Sequence, residues 1–175
     1  MRVVAGELRG RRIEAPPGDS TRPTTDKVRE AVFNALGSLG LVADARVADL
    51  FAGSGALGIE ALSRGAHHCT FVERDRTALT FLRANVGDLG VGERSTVVQG
   101  DARAKAATID VDIVFADPPY DTDDEFWSDM LERVRAPFVV AEAGRAVAAP
   151  VGWEVVRERR YGRTWVTFLE RADPA

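Results

Sequence analysis

Four consecutive residues, Asp117-Pro118-Pro119-Tyr120, carry the most distinctive chemistry in the chain. A carboxylate and a backbone carbonyl held side by side can each accept one hydrogen of an exocyclic amine. The nitrogen lone pair, otherwise delocalised into an aromatic ring, is then turned toward an electrophile. Paired prolines fix φ and hold the acceptors stiffly, and a tyrosine ring can stack on a base taken out of its helix. Positioning and electrostatics suffice for methyl transfer from a sulfonium to such an amine, and no metal is needed. Alone, the segment also reads as a proline-rich turn with Asp117 capping a strand end. Its position after the apolar run VDIVFA favours function, because ligands of open α/β sheets bind at the carboxyl ends of the strands around the point where strand order reverses.

A second cluster accompanies it. The apolar run RVADLF leads into Ala52-Gly53-Ser54-Gly55-Ala56-Leu57-Gly58 and then into a helical stretch, so a G-x-G-x-x-G spacing sits at a strand-to-helix turn. There the bare backbone lets a nucleotide-like ligand approach the free amides of a helix N-terminus. Glu73 ends the next strand 20 residues after Gly53, where a carboxylate can accept both ribose hydroxyls. These two features fit a nicotinamide cofactor and S-adenosylmethionine (SAM) equally well. Gln99-Gly100-Asp101-Ala102 closes a third strand and puts Asp101 and Ala102 beside the adenine position, although an aspartate there is also a helix cap. The D-P-P-Y segment has no use in hydride transfer, and it tips the choice toward SAM.

The elements that must hold these residues follow from the patterning. Apolar runs with little polar alternation (RVADLF, CTFVE, STVVQ, VDIVFAD, FVVAE) alternate with helical stretches. That is the signature of a parallel sheet covered on both faces. The end differs: WEVVRERR and RTWVTFLE flank Tyr161-Gly162 and predict an antiparallel hairpin on the sheet edge. The fold class is α/β, a doubly wound, mostly parallel, seven-stranded Rossmann-like sheet. Residues 2–15, with Gly6 and Gly10, predict a small β-hairpin extension outside the core. A helix is expected after Thr24 or Thr25, with Val28, Val32, Leu36 and Leu39 as its apolar face. The boundary falls between an extension with its linker, residues 1–23, and a main domain, residues 24–175. Trp153 and Trp165 are expected to pack in the core or hairpin. His67-His68-Cys69 enters a strand, where adjacent side chains point to opposite faces, so these residues are not read as a metal site.

The 175 residues carry a net charge of −4, an ordinary soluble composition for about one domain. A lone cysteine excludes an internal disulfide, and no apolar run reaches the roughly 18 residues of a membrane span. A cytoplasmic location with no membrane partner is expected. The modest total hides an uneven distribution: residues 1–29 and 157–171 each carry +3, and residues 30–156 carry −9. Arg9, Arg11 and Arg12 are candidate nucleic-acid contacts on this ground. Tyr161 with Arg157, Arg159, Arg160 and Arg163 is either an RNA-facing patch or a solvated edge.

The opening RVVAGELRGRRI, the segment Arg22-Pro23-Thr24-Thr25-Asp26-Lys27-Val28-Arg29-Glu30, the run DLFAGSGALGIEALSRGA, Glu73, D-P-P-Y and the closing YGRTWVTFLE together resemble the bacterial RsmD-type methyltransferases of small-subunit ribosomal RNA. The resemblance covers almost the whole chain. It implies a SAM-dependent enzyme that methylates the exocyclic N2 of one guanine, guanine-966 of 16S rRNA, in RNA already carrying ribosomal proteins of the 30S subunit. By match, Gly53, Ser54 and Gly55 line the methionine end of SAM, Glu73 binds the ribose, Asp101 faces the adenine, and the D-P-P-Y residues form the catalytic loop. Asp49 resembles the acidic residue that helps hold the SAM amino group, and Arg22 and Thr24 belong to a segment near cofactor and target RNA. A monomer is expected, since the RNA particle can supply the extra binding surface. The residues alone reach only an amino methyltransferase acting on a base. Adenine or cytosine amines, an NAD-dependent oxidoreductase and a non-catalytic assembly factor are the other readings.

Overall fold

Strands that are apolar on both faces need cover on both faces, and the computed structural model supplies it; it describes residues 1–17, 26–118 and 122–172. The five parallel strands are β1 (Arg46–Asp49), β2 (His68–Glu73), β3 (Ser95–Gln99), β4 (Ile113–Ala116) and β5 (Phe138–Ala143). Two antiparallel strands follow, β6 (Trp153–Tyr161) and β7 (Thr164–Arg171), in the order β3-β2-β1-β4-β5-β7-β6. Every residue of β4 and β5 is buried. Alternate side chains divide between two cores. Val47, Ile113 and Phe115 face α1 (Asp26–Ser38), α2 (Ala56–Ser63) and α3 (Arg76–Asp88). Ala48, Val114 and Ala116 face α4 (Ala102–Ala106) and α5 (Asp124–Arg133), where Trp127, Met130 and Leu131 fill the space.

The order of connection reverses between β1 and β4, which pair in parallel with Asp49 beside Phe115. This is where the crossover helices diverge to opposite faces, so a crevice must open beyond the carboxyl ends of these strands. The C-terminal hairpin lies at the sheet edge as expected, with β7 against β5 and β6 outermost. Trp153 is buried and its indole N–H donates to Leu131 O at 3.2 Å. Trp165 packs within the hairpin beneath the Arg160 guanidinium.

Two expectations need correction. Helix α1 ends at Ser38, so Leu39 falls past the last turn and is 46% exposed instead of completing the apolar face. The N-terminal hairpin, closed by an Arg2–Arg12 bridge, does not stay outside the core: Val3 and Ile13 are buried in the same cluster as α1 and α2. A polar clasp holds it there. The buried Glu60 carboxylate of α2 accepts from Val4 N (2.8 Å), Ala5 N (3.0 Å) and Arg64 Nε (2.8 Å). It also faces Arg29 of α1, whose guanidinium is fully buried and donates to Arg2 O. Gly6 lies against the end of α2, where a Cβ would come within 1.8 Å of Ser63 O; only glycine permits that contact. No helix among the described residues is long and apolar enough to cross a membrane.

Candidate cofactor and active site

The glycine loop is held open by its neighbours. Gly58, on the first turn of α2, packs so closely on β2 that a Cβ would lie 2.3 Å from the Phe71 ring and 2.5 Å from Cys69 Sγ. This close approach leaves the start of α2 seated directly on the sheet. Below it Asp49, 1% exposed, accepts from Gly58 N at 3.0 Å. Desolvation pushes its carboxyl up to about 7, against the lowering effect of that hydrogen bond, and the charge of Glu73 adds to the rise.

Glu73 braces the loop from the other side. Its Oε2 accepts from Gly53 N, and its Oε1 from Arg74 N and Asp75 N, all at 2.8 Å. Oε1 is thereby filled, and Oε2 keeps one acceptor site, since an ionised carboxylate offers about four. Asp101 caps α4 through Oδ1, which accepts from Ala104 N at 3.0 Å. The capping role is therefore present, and Oδ2 remains for a ligand.

Asp49, Gly53, Ser54, Glu73, Asp101, Ala102, Asp117 and Pro118 line a single cleft of about 790 Å³ at the β1/β4 switch point. Gly55 supports the loop from behind as the left-handed residue preceding α2, φ 91°. Pro119, Tyr120, Arg22 and Thr24 lie outside the described residues. Arg9, Arg11 and Arg12 are exposed. Arg11 donates to Asp88 O, at 2.8 Å, at the end of α3, and Arg12 pairs with Glu14 at 2.7 Å. Asp88 lies one turn beyond Asn85 on α3, so Arg11 is held on the α3 side of the hairpin, four residues before Ala15, and none of the three arginines lines the cleft.

Cleft residues that patterning does not reveal come from distant elements. Phe51 and Phe126 form an aromatic wall with ring centroids 6.3 Å apart. Ala15 and Pro16 close the side next to the glycine loop. Asn85, buried on α3, clamps both: it exchanges hydrogen bonds with Glu14 N and O (2.9 and 2.8 Å) and donates to Ser54 O at 2.9 Å. No spacing rule joins residues 14, 54 and 85; only the folded chain does.

The set fits a ligand that carries an aromatic base, a ribose diol and a cationic amine. Phe51 and Ala102 offer apolar surface to the base, Asp101 and Glu73 accept from amine and hydroxyls, and Asp49 is an acid awaiting a cation. The Thr122 hydroxyl is buried at the cleft wall, with no hydrogen-bond partner among the described residues. Elsewhere, Cys69 is buried beneath Gly58 while the His68 ring meets Thr96 Oγ1 at 2.9 Å; strand alternation has separated the two.

The family model of Conserved hypothetical protein 95 matches residues 1–170. YlbH of Bacillus subtilis is 42% identical over an alignment of 188 positions, covering 98% of this chain and 99% of YlbH. Ribosomal RNA small subunit methyltransferase D of Escherichia coli is 43% identical over 122 positions, 69% of this chain and 60% of that protein. Among solved structures, yhhF of Escherichia coli superposes with a TM-score of 0.84 at 34% identity, covering 98% and 97% of the two chains.

Proposed function

Because the chain belongs to the RsmD-type methyltransferase family, we propose that it is a SAM-dependent rRNA methyltransferase acting on the exocyclic N2 of a guanine in 16S rRNA. By the family resemblance this is guanine-966, presented in the assembled or assembling 30S subunit in the cytoplasm, and the enzyme acts as a monomer. The observation that carries the reading is the meeting of Asp117 and Pro118 with Asp49, Glu73 and Asp101 around one cleft.

The bound cofactor supplies an electrophilic methyl group on a sulfonium. The chain supplies the rest. Glu73 and Asp101 orient the nucleoside half through its hydroxyls and amine, and Asp49 neutralises the cationic amino group. The Asp117 carboxylate accepts one hydrogen of the guanine amine, and the Pro118 carbonyl accepts the other. With both N–H bonds directed to acceptors, the lone pair points along the line of transfer. The proton released after transfer leaves by way of the Asp117 side or water. Tyr120 stacks on the extruded base, and Arg22 and Thr24 contact the RNA near it.

Asp117→Ala tests the assignment. SAM affinity, measured by calorimetry, is expected to stay within a few-fold, while methyl transfer falls by about 10³-fold or more. Undiminished turnover would refute Asp117 as the amine acceptor, and binding of NAD without SAM would refute the cofactor.

A further inference from the structure

We propose that the tip of the β6–β7 hairpin is an RNA-docking surface, on which Arg157, Arg159 and Arg163 hold phosphates of the strand flanking the target base; this rests on the proposed rRNA methylation. The hairpin tip stands at the carboxyl edge of the sheet. β6 is antiparallel to β7, and β7 to β5, so β6 runs with the parallel strands and its end, Tyr161, emerges at their carboxyl edge. Ala141 is level with Ala116, and Ala143 pairs with Trp165. The turn at Gly162 and Arg163 therefore stands level with the segment following Ala116. It is displaced sideways by two to three strand spacings, about 10–14 Å. Arg11, by contrast, is tied to the end of α3, which packs on β2 and β3 on the other side of β1.

β6 also carries a β-bulge. Register shifts between Val155, opposite Leu169, and Arg157, opposite Phe168. Had the register continued unbroken through Val156, Arg157 and Arg159 would lie opposite Thr167 and Trp165, on the α5 face. The bulge turns them to the α1 face, opposite Phe168 and Val166, and leaves Glu158 on the other side, opposite Thr167. Bulges characteristically re-aim side chains beside functional sites. Here the result is a row of cations on one face with the intervening carboxylate turned away.

Arg29, Arg64, Arg94, Arg103, Arg133 and Arg145 all meet carboxylates. Among the described residues no ion pair engages Arg157, Arg159, Arg160 or Arg163. Arg159 and Arg160 reach only backbone carbonyls of their own hairpin, Glu158 O at 3.0 Å and Gly162 O at 2.9 Å. Arg160 is further occupied by the Trp165 ring, 5.7 Å from its centroid, and is the structural member of the group. The others present unneutralised donors suited to phosphate oxygens.

The test is the triple variant Arg157→Gln, Arg159→Gln, Arg163→Gln, assayed on the small-subunit RNA that the wild type methylates. Its KM for RNA is expected to rise about tenfold or more, with SAM affinity and kcat at saturating RNA unchanged. The slope of log affinity against log salt should become shallower by about 2, near 0.7 for each phosphate contact on a single strand. An unchanged KM and slope would overturn the proposal. So would a loss of affinity without a change in slope, which assigns the surface to a protein contact, or new self-association with RNA affinity intact, which makes the arginines guards of an exposed strand edge. If wild-type protein transfers no methyl group to any RNA, the proposed function falls together with the hairpin; if only the variant behaves as wild type, the hairpin alone falls.

Discussion

Asp49 shows how a single carboxyl connects stability to ligand binding. Buried beneath the glycine loop, it titrates near 7 against an ordinary 3.8, so the ligand-free protein holds it protonated below neutrality. A cationic amino group binds the ionised form. SAM affinity is therefore expected to be flat above about pH 7 and to fall roughly tenfold for each unit below it; calorimetry across that interval reads the slope. Stability runs the other way. The folded value lies above the unfolded one, so this group's contribution is fully present below about pH 4 and is lost as pH rises through 7. Charge burial at high pH costs the fold on the order of 4 kcal/mol. Asp49→Asn keeps an acceptor for Gly58 N and removes the charge. It should resist urea better than the wild type at pH 8 while losing SAM binding, and lower urea resistance there would contradict the assignment of a desolvated charge.

At the scale of elements, the N-terminal hairpin is the part whose placement patterning missed. The strands were readable because uninterrupted apolar runs have one burial solution, and the glycine loop because its spacing serves a local turn. The clasp of Arg29, Glu60 and the hairpin backbone joins residues 31 to 56 positions apart, and local periodicity carries no information about such pairs. Helix α1 shows the same limit, since Arg29 sits among its apolar residues and is fully buried. Asp101 shows a different one: Oδ1 caps α4 while Oδ2 is left for the proposed cofactor contact, so a capping signal and a binding signal fall on one residue. The clasp also makes a prediction. Glu60→Ala leaves two hairpin amides and Arg64 Nε without that acceptor and removes the buried carboxylate facing Arg29, which keeps Arg2 O and the exposed Asp26, and is expected to lower unfolding free energy by about 3–5 kcal/mol. A loss below about 1 kcal/mol in urea titration would mean that the apolar contacts of Val3 and Ile13, with the Asn85 and Ser63 hydrogen bonds, seat the hairpin without the clasp.

Across the whole molecule, the net charge of −4 conceals basic ends and an acidic centre. The structure separates those ends across the sheet: Arg11 reaches the end of α3, which packs on β2 and β3, whereas the β6–β7 hairpin forms the opposite edge. A partner touching both has to extend across the molecule, as a folded RNA does. Replacing Arg9, Arg11 and Arg12 by alanine is accordingly expected to weaken binding to long RNA and to flatten its salt dependence, with SAM affinity unchanged; an equal loss of SAM affinity would contradict the separation. The most direct measurement incubates the protein with tritiated-methyl SAM and either naked 16S rRNA, assembled small subunits or duplex DNA, then digests the product to nucleosides. Label is expected in small-subunit RNA as N2-methylguanosine; label recovered as N6-methyladenine, or in DNA alone, would rule out guanine-N2 transfer.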